Sequence, residues 1–134
     1  MRIIKENSTN NENRGKAMEQ CPVVFTFDKI GGRWKPLILW NLRNTSLRYS
    51  ELRKQIDGIT EKMLIQHLKQ LESDSLVERK VISVMPPHVE YSLSVSGHEL
   101  MNALHHMAHW GLKQTGQIEK ADALAVFLND QKTA

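Results

Sequence analysis

Apolar positions in this chain recur at helical spacing through its first half, alternate in two short runs between Val77 and Leu93, and return to helical spacing from Leu100 onward. Val23, Val24, Phe27 and Ile30 predict a helix opening at Cys21-Pro22, because the first helical turn leaves unpaired the very N–H that proline lacks. Gly31-Gly32 closes it. Trp34, Leu37, Ile38, Trp40 and Leu42 predict a second helix, with Pro36 tolerated in its first turn, and Asn44-Thr45-Ser46 a loop. Leu47 to Ile56 reads as a third helix, with Leu52 and Ile56 a turn apart, and Asp57-Gly58 as a turn. Thr60 is the expected N-cap of a fourth helix, whose Leu64, Leu68 and Leu71 form one apolar stripe.

From Val77 the period becomes two. Val77, Arg79 and Val81 alternate with Glu78, Lys80 and Ile82, and after Pro86-Pro87 so do Val89, Tyr91 and Leu93 with His88, Glu90 and Ser92. Two alternating runs around a Pro-containing turn predict a β-hairpin. Ser94 or Ser96 is placed to cap a last long helix carrying Leu100, Leu104, Met107, Ala108, Trp110 and Leu112, and a short helix is expected over Ala121 to Leu128. Residues 1–19 are rich in Asn, Glu and Lys with no large apolar group past Ile4 except Met18, and read as a mobile tail.

At 134 residues, 40% hydrophobic and 25% charged, the chain is sized and composed as one globular domain, with an α+β element pattern. No apolar run approaches the length of a membrane span, and the N-terminus has no secretory pattern, so a cytoplasmic protein is expected. The single cysteine, Cys21, excludes an intramolecular disulfide and a cysteine-built zinc site. The net charge of +3 says little, but its distribution says more. Residues 28–80 carry eleven Lys/Arg against seven Asp/Glu, whereas residues 81–134 carry three against five. A basic excess confined to one segment suits a protein that offers one face to phosphates.

That segment holds a helix–turn–helix at about residues 47–72, followed by the hairpin. An α-helix fits the major groove of B-DNA, and a preceding helix can brace it. The leucines would anchor the fourth helix while its polar side faces base edges. Gln66 then suits adenine, and Lys62 and Lys69 guanine or phosphate. Thr60 opens that helix, Lys35, Arg48 and Lys54 are phosphate candidates, and Arg79, Lys80 and His88 would lie on or near the hairpin. A polar helix face is also what an ordinary solvated face looks like. The hairpin with basic residues at its base favours nucleic acid.

Several segments together resemble the HxlR family of bacterial regulators, winged-helix proteins related in architecture to the MarR group. They are CPV at 21–23, IGGRW at 30–34, RYSELRKQIDGIT at 48–60, KMLIQHLKQLESDSLVER at 62–79, PPHVEYSLS at 86–94, SGHEL at 96–100 and HWG at 109–111. The resemblance covers about two-thirds of the chain. It implies a winged helix-turn-helix with N- and C-terminal dimerisation helices, a domain over 20–115, and a C-terminal helical extension over 116–134. It implies a homodimer on double-stranded DNA, with recognition helix 60–72, a wing at about 77–93 and a pseudo-palindromic operator. Arg33 stands where the family often has Lys, and Ile82 where it often has an aromatic residue.

Cys21 sits at an expected helix N-terminus, where partial positive charge favours a thiolate. Some members of the resembling family sense quinones, aldehydes or oxidants at this place, which makes Cys21 a candidate redox sensor; the other reading is a small buried residue. His105 and His109 form an i, i+4 pair, but HExxH is absent, and a histidine-bearing helix surface is read there instead of a metal site. Trp34, Trp40 and Trp110 could line a ligand pocket, but aromatics at helical spacing read as core. No phosphate loop or catalytic triad stands out, so neither an enzyme nor a cofactor is expected. The reading is a DNA-binding transcriptional regulator, as a repressor. The alternative is a winged helix that binds protein, with Lys62, Gln66 and Lys69 as its partner surface.

Overall fold

A computed structural model of the protein describes residues 9–132. Along the chain these form α1 (Thr9–Gln20), α2 (Pro22–Ile30), α3 (Trp34–Asn41), β1 (Leu47–Arg48), α4 (Tyr49–Gln55), α5 (Glu61–Ser73), β2 (Val77–Ser83), β3 (His88–Leu93), α6 (Val95–Gln114) and α7 (Ile118–Lys132). The small sheet has the order β1-β3-β2 and both pairings are antiparallel. This is the mixed helix-and-hairpin architecture of a winged helix-turn-helix.

One core serves the central elements. Ile38, Leu39 and Leu42 from α3 and its end meet Leu52 of α4, Leu64, Leu68 and Leu71 of α5, Val77 and Leu93 of the hairpin, and Met101 and Leu104 of α6. The three α5 leucines lie at i, i+4, i+7, so they share one side of a helix that turns about 100° per residue. At the crossing of α5, β2 and α6, Ser94 joins all three. Its hydroxyl donates to the Ser75 carbonyl at 2.6 Å and accepts the Gly97 N–H at 3.0 Å, and its own N–H donates to the Leu76 carbonyl at 3.1 Å. Ser94, and not Ser96, is therefore the cap of α6.

The structure corrects the expectations at four places. Of the stretch read as a mobile tail, residues 1–8 lie outside the described residues, but Thr9–Gln20 is helical. That helix buries no residue and has no apolar stripe for a sequence reading to find. It lies against α2 and is joined to it by an ion pair between Arg14 and Asp28 at 2.6 Å, which holds the Asp28 carboxyl below the usual carboxylate range. Leu47 and Arg48 do not begin a helix; they pair with Tyr91 and Glu90 of β3. The helix starts only at Tyr49, and Glu51 reaches back to accept the Arg48 N–H at 3.0 Å. The final helix, expected over 121–128, runs from Ile118 to Lys132. Trp110 does not belong to the core; it is 66% exposed.

Candidate nucleic-acid interface

α4 and α5 are joined by a short turn in which Gly58 has φ +82°, a left-handed backbone that side-chain-bearing residues rarely adopt. Two exposed contacts bridge the helices. The Tyr49 hydroxyl donates to the Glu61 carbonyl at 3.4 Å, and Arg53 lies 4.0 Å from the Glu61 carboxylate. Burial, then the Glu61 charge, raises the Tyr49 phenol above its ordinary value. Tyr49 and Arg53 were not among the candidates. Both stand in the RYSELRKQIDGIT segment, but only the tertiary contact distinguishes them from other polar positions there.

α5 opens at Thr60, whose hydroxyl oxygen accepts the Met63 N–H at 3.2 Å. Its role in this structure is to hold the helix start. Lys62, Gln66 and Lys69 are exposed and follow the same i, i+4, i+7 spacing as the leucines, displaced by two residues. Two residues correspond to about 200° of helical rotation, so this row lies opposite the buried one. Ile65, 39% exposed, lies on the same outer surface.

The hairpin stands beside this helix. Arg79 faces Tyr91 and Lys80 faces Glu90 across the ladder, and a bulge after Val81 brings Ser83 opposite His88. Arg79 and Lys80 are exposed; His88 is half-buried in β3, its Nε2 3.7 Å from the Glu90 carboxylate. Glu90 also faces Arg48 across the other ladder, so an acidic residue stands among these cations. The Arg48 guanidinium donates to the Pro87 carbonyl at 3.3 Å, tying the start of α4 to the turn of the hairpin. Beyond Lys80 the turn carries no charge. Val84 and Met85 are 80% and 87% exposed.

The remaining candidates lie elsewhere. Lys54 is exposed on α4. Lys35 is half-buried on α3, close enough to Asp28 and His67 to act on the titration of both, and is not part of the row on α5. Cys21 is half-buried at the N-cap of α2; its N–H donates to the Ala17 carbonyl at 3.0 Å. Among the described residues, no group of three or more His, Cys, Asp or Glu is placed to hold a metal ion, and no helix is long and apolar enough to cross a membrane.

Comparison with known proteins bears on the whole arrangement. The chain is 42% identical over 105 residues to the uncharacterized HTH-type transcriptional regulator YdeP of Bacillus subtilis, covering 78% of this chain and 82% of that one. It is 42% identical over 92 residues to the corresponding uncharacterized regulator YtfH of Escherichia coli, covering 69% and 73%. Among solved structures it is similar to the redox regulator HypR in its oxidized form, with a TM-score of 0.65 at 40% identity, covering 69% of this chain and 96% of that one. The HxlR-like helix-turn-helix profile matches residues 29–119, from the end of α2 to the start of α7, and the chain therefore belongs to this family of transcriptional regulators.

Proposed function

We propose that the chain represses transcription as a homodimer that reads a pseudo-palindromic duplex through α5, working in the cytoplasm. The observation that carries this reading is the exposed row Lys62, Gln66 and Lys69 set opposite the buried Leu64, Leu68 and Leu71. One side of the helix is anchored and the other is free to enter a major groove, with a lysine for phosphate or guanine on each side of a glutamine suited to adenine. Arg79 and Lys80 on β2 extend the cationic surface, with Arg48 and Lys54 at the flank of α4. His88, beside Glu90, contributes less, and so does the half-buried Lys35.

Pairing is supported by apolar surface outside the core. Phe25 is 50% exposed and Phe27 49% on α2, and Trp110 is 66% exposed on α6. Large aromatic side chains left in water on α2 and α6, the helices before and after the helix-turn-helix and hairpin, are what a two-fold contact would bury. Two copies of α5 then face successive major grooves.

Cys21 is the proposed signal-responsive residue. It is the chain's one thiol, at the start of α2. Oxidation of two such thiols, one per subunit, forms a disulfide and passes two electrons and two protons to the oxidant. An electrophile instead forms an adduct with a single thiolate.

Titration of labelled duplex from a bound genomic site, repeated across salt concentrations, tests the central reading. The expected result is a linear fall of log affinity with log salt, by about 0.9 for each phosphate neutralised. Absence of duplex binding in dilute buffer would overturn it.

A further inference from the structure

An open cavity of about 460 Å3 lies where the end of α3 meets α6 and α7, a size within the range of small-molecule sites. Arg43 enters it just past α3. From α6 come His98, Met101 and His105, at i, i+3 and i+7 and so on one face, with His106 beside them, and Phe127 closes the wall from α7. Among the described residues, no Asp or Glu lines the cavity, and Arg43 is the one permanent cation of the lining. Asn44, Asn102 and Gln131 add neutral amides, and His105 and Phe127 make it partly aromatic.

Arg43 is already positioned. One guanidinium N–H donates to the Trp40 carbonyl at 2.8 Å, and the guanidinium carbon lies 4.3 Å from the Trp40 ring centroid. The hydrogen bond and the cation–π contact hold the guanidinium in place, while further N–H donors remain to grip a carboxylate in two-point fashion. The His105 ring stands edge-on between Trp40, at 5.3 Å, and Phe127, at 5.1 Å. Burial, then Arg43 and His106, holds the His105 imidazole below its ordinary value, so near neutral pH it is an uncharged aromatic wall. The histidines are not grouped as metal ligands among the described residues.

We propose that this cavity binds a small aromatic carboxylate, with the carboxylate on the Arg43 fork and the ring against Met101, His105 and Phe127. α3 also packs against α5, so an occupant is placed to bias the reading helix. That transmission, unlike the binding, rests on the DNA reading above.

Calorimetric titration of the full chain with sodium benzoate, benzamide and inorganic phosphate tests it. Benzamide keeps the ring without the charge, and phosphate the charge without the ring. Benzoate is expected to bind at least about tenfold more tightly than either. Arg43→Gln and Phe127→Ala are each expected to weaken benzoate at least about tenfold. Because Arg43 also holds the end of α3, His98→Ala, altered at an exposed side chain, is the second variant and is expected to weaken benzoate severalfold. No benzoate binding, equal binding of benzamide or phosphate, or wild-type affinity in these variants when folded overturns the proposal. Duplex affinity is then compared with and without saturating benzoate. A shift of at least about threefold supports transmission. Unchanged affinity overturns transmission alone, and absence of duplex binding without benzoate overturns the DNA reading while leaving the cavity result intact.

Discussion

Arg48 and Pro87, thirty-nine positions apart, are joined by one hydrogen bond of 3.3 Å from guanidinium to carbonyl. The bond links the start of the first helix of the helix-turn-helix to the turn of the hairpin, and adds a side-chain tie to the pairing of Leu47 and Arg48 with β3. Arg48→Ala is expected to lower duplex affinity at least about fivefold, the equivalent of about 1 kcal/mol. Amide hydrogen exchange in residues 88–91 should quicken, while overall stability changes by about 1 kcal/mol or less, since the bond is exposed. Wild-type exchange together with wild-type affinity would show that Arg48 does not brace the wing.

The exposed row on α5 separates two kinds of contact. Lys62→Ala and Lys69→Ala are each expected to weaken binding to all duplexes similarly and to reduce the salt slope by about 1. Gln66→Ala should instead relax preference at one base pair, by about 1–3 kcal/mol of discrimination, with an unchanged slope. A competition series on single-base operator variants measures both. Identical profiles for the three variants would contradict the placement of this face.

Gly97 is buried in the first turn of α6, and a side chain there would run into the Leu76 carbonyl oxygen and crowd the Leu93 side chain. The obstacle is backbone at the Ser94 junction, which has little room to move. Gly97→Ala should destabilise the fold by about 1–3 kcal/mol in urea, despite the better helix propensity of alanine. Gly15→Ala, at a position with open space, is the control and should be neutral or stabilising. Equal stabilities would mean that the junction yields.

His67 lies on α5 with its Nδ1 buried and without a hydrogen-bond partner in the structure. Burial, then nearby Lys35, holds its imidazole below the ordinary value. The unfolded chain therefore binds the proton more readily than the folded one. The stability this contributes is present above the unfolded value, about 6.5, and is lost as pH falls through the folded value. His105 shifts in the same direction through burial, Arg43 and His106. Chemical denaturation at pH 7 and pH 5 should show the wild type losing stability on acidification, and His67→Gln losing less. Parallel losses in the two proteins would remove His67 as a cause.

Cys21 is half-buried at the N-cap of α2, within the surface proposed to pair. Diamide should change duplex affinity of the native protein by at least about threefold and leave Cys21→Ser unaffected. A non-reducing gel then distinguishes a covalent dimer from an adduct. Equal responses of the two proteins would dispose of Cys21 as the sensor.

Wherever an element carried its own periodic pattern, the sequence alone determined it. The leucine stripe of α5, the alternation of the hairpin, Pro22 opening α2 and Thr60 capping α5 each act within one or two turns of chain, so neighbouring residues suffice to reveal them. The same local pattern placed Lys62, Gln66 and Lys69 on the outer side of α5, because opposite faces of a helix follow from spacing alone. Tertiary structure decided what depends on residues far apart. Arg48 became a strand residue because β3, some forty positions on, offers it a partner, and Thr9–Gln20 is helical beside α2 without a stripe of its own. Lys35 of α3 was brought close enough to His67 to act on its titration, and Arg43, His105 and Phe127 were gathered around one cavity. Such contacts arise from packing three separate helices, and no single stretch of sequence records them.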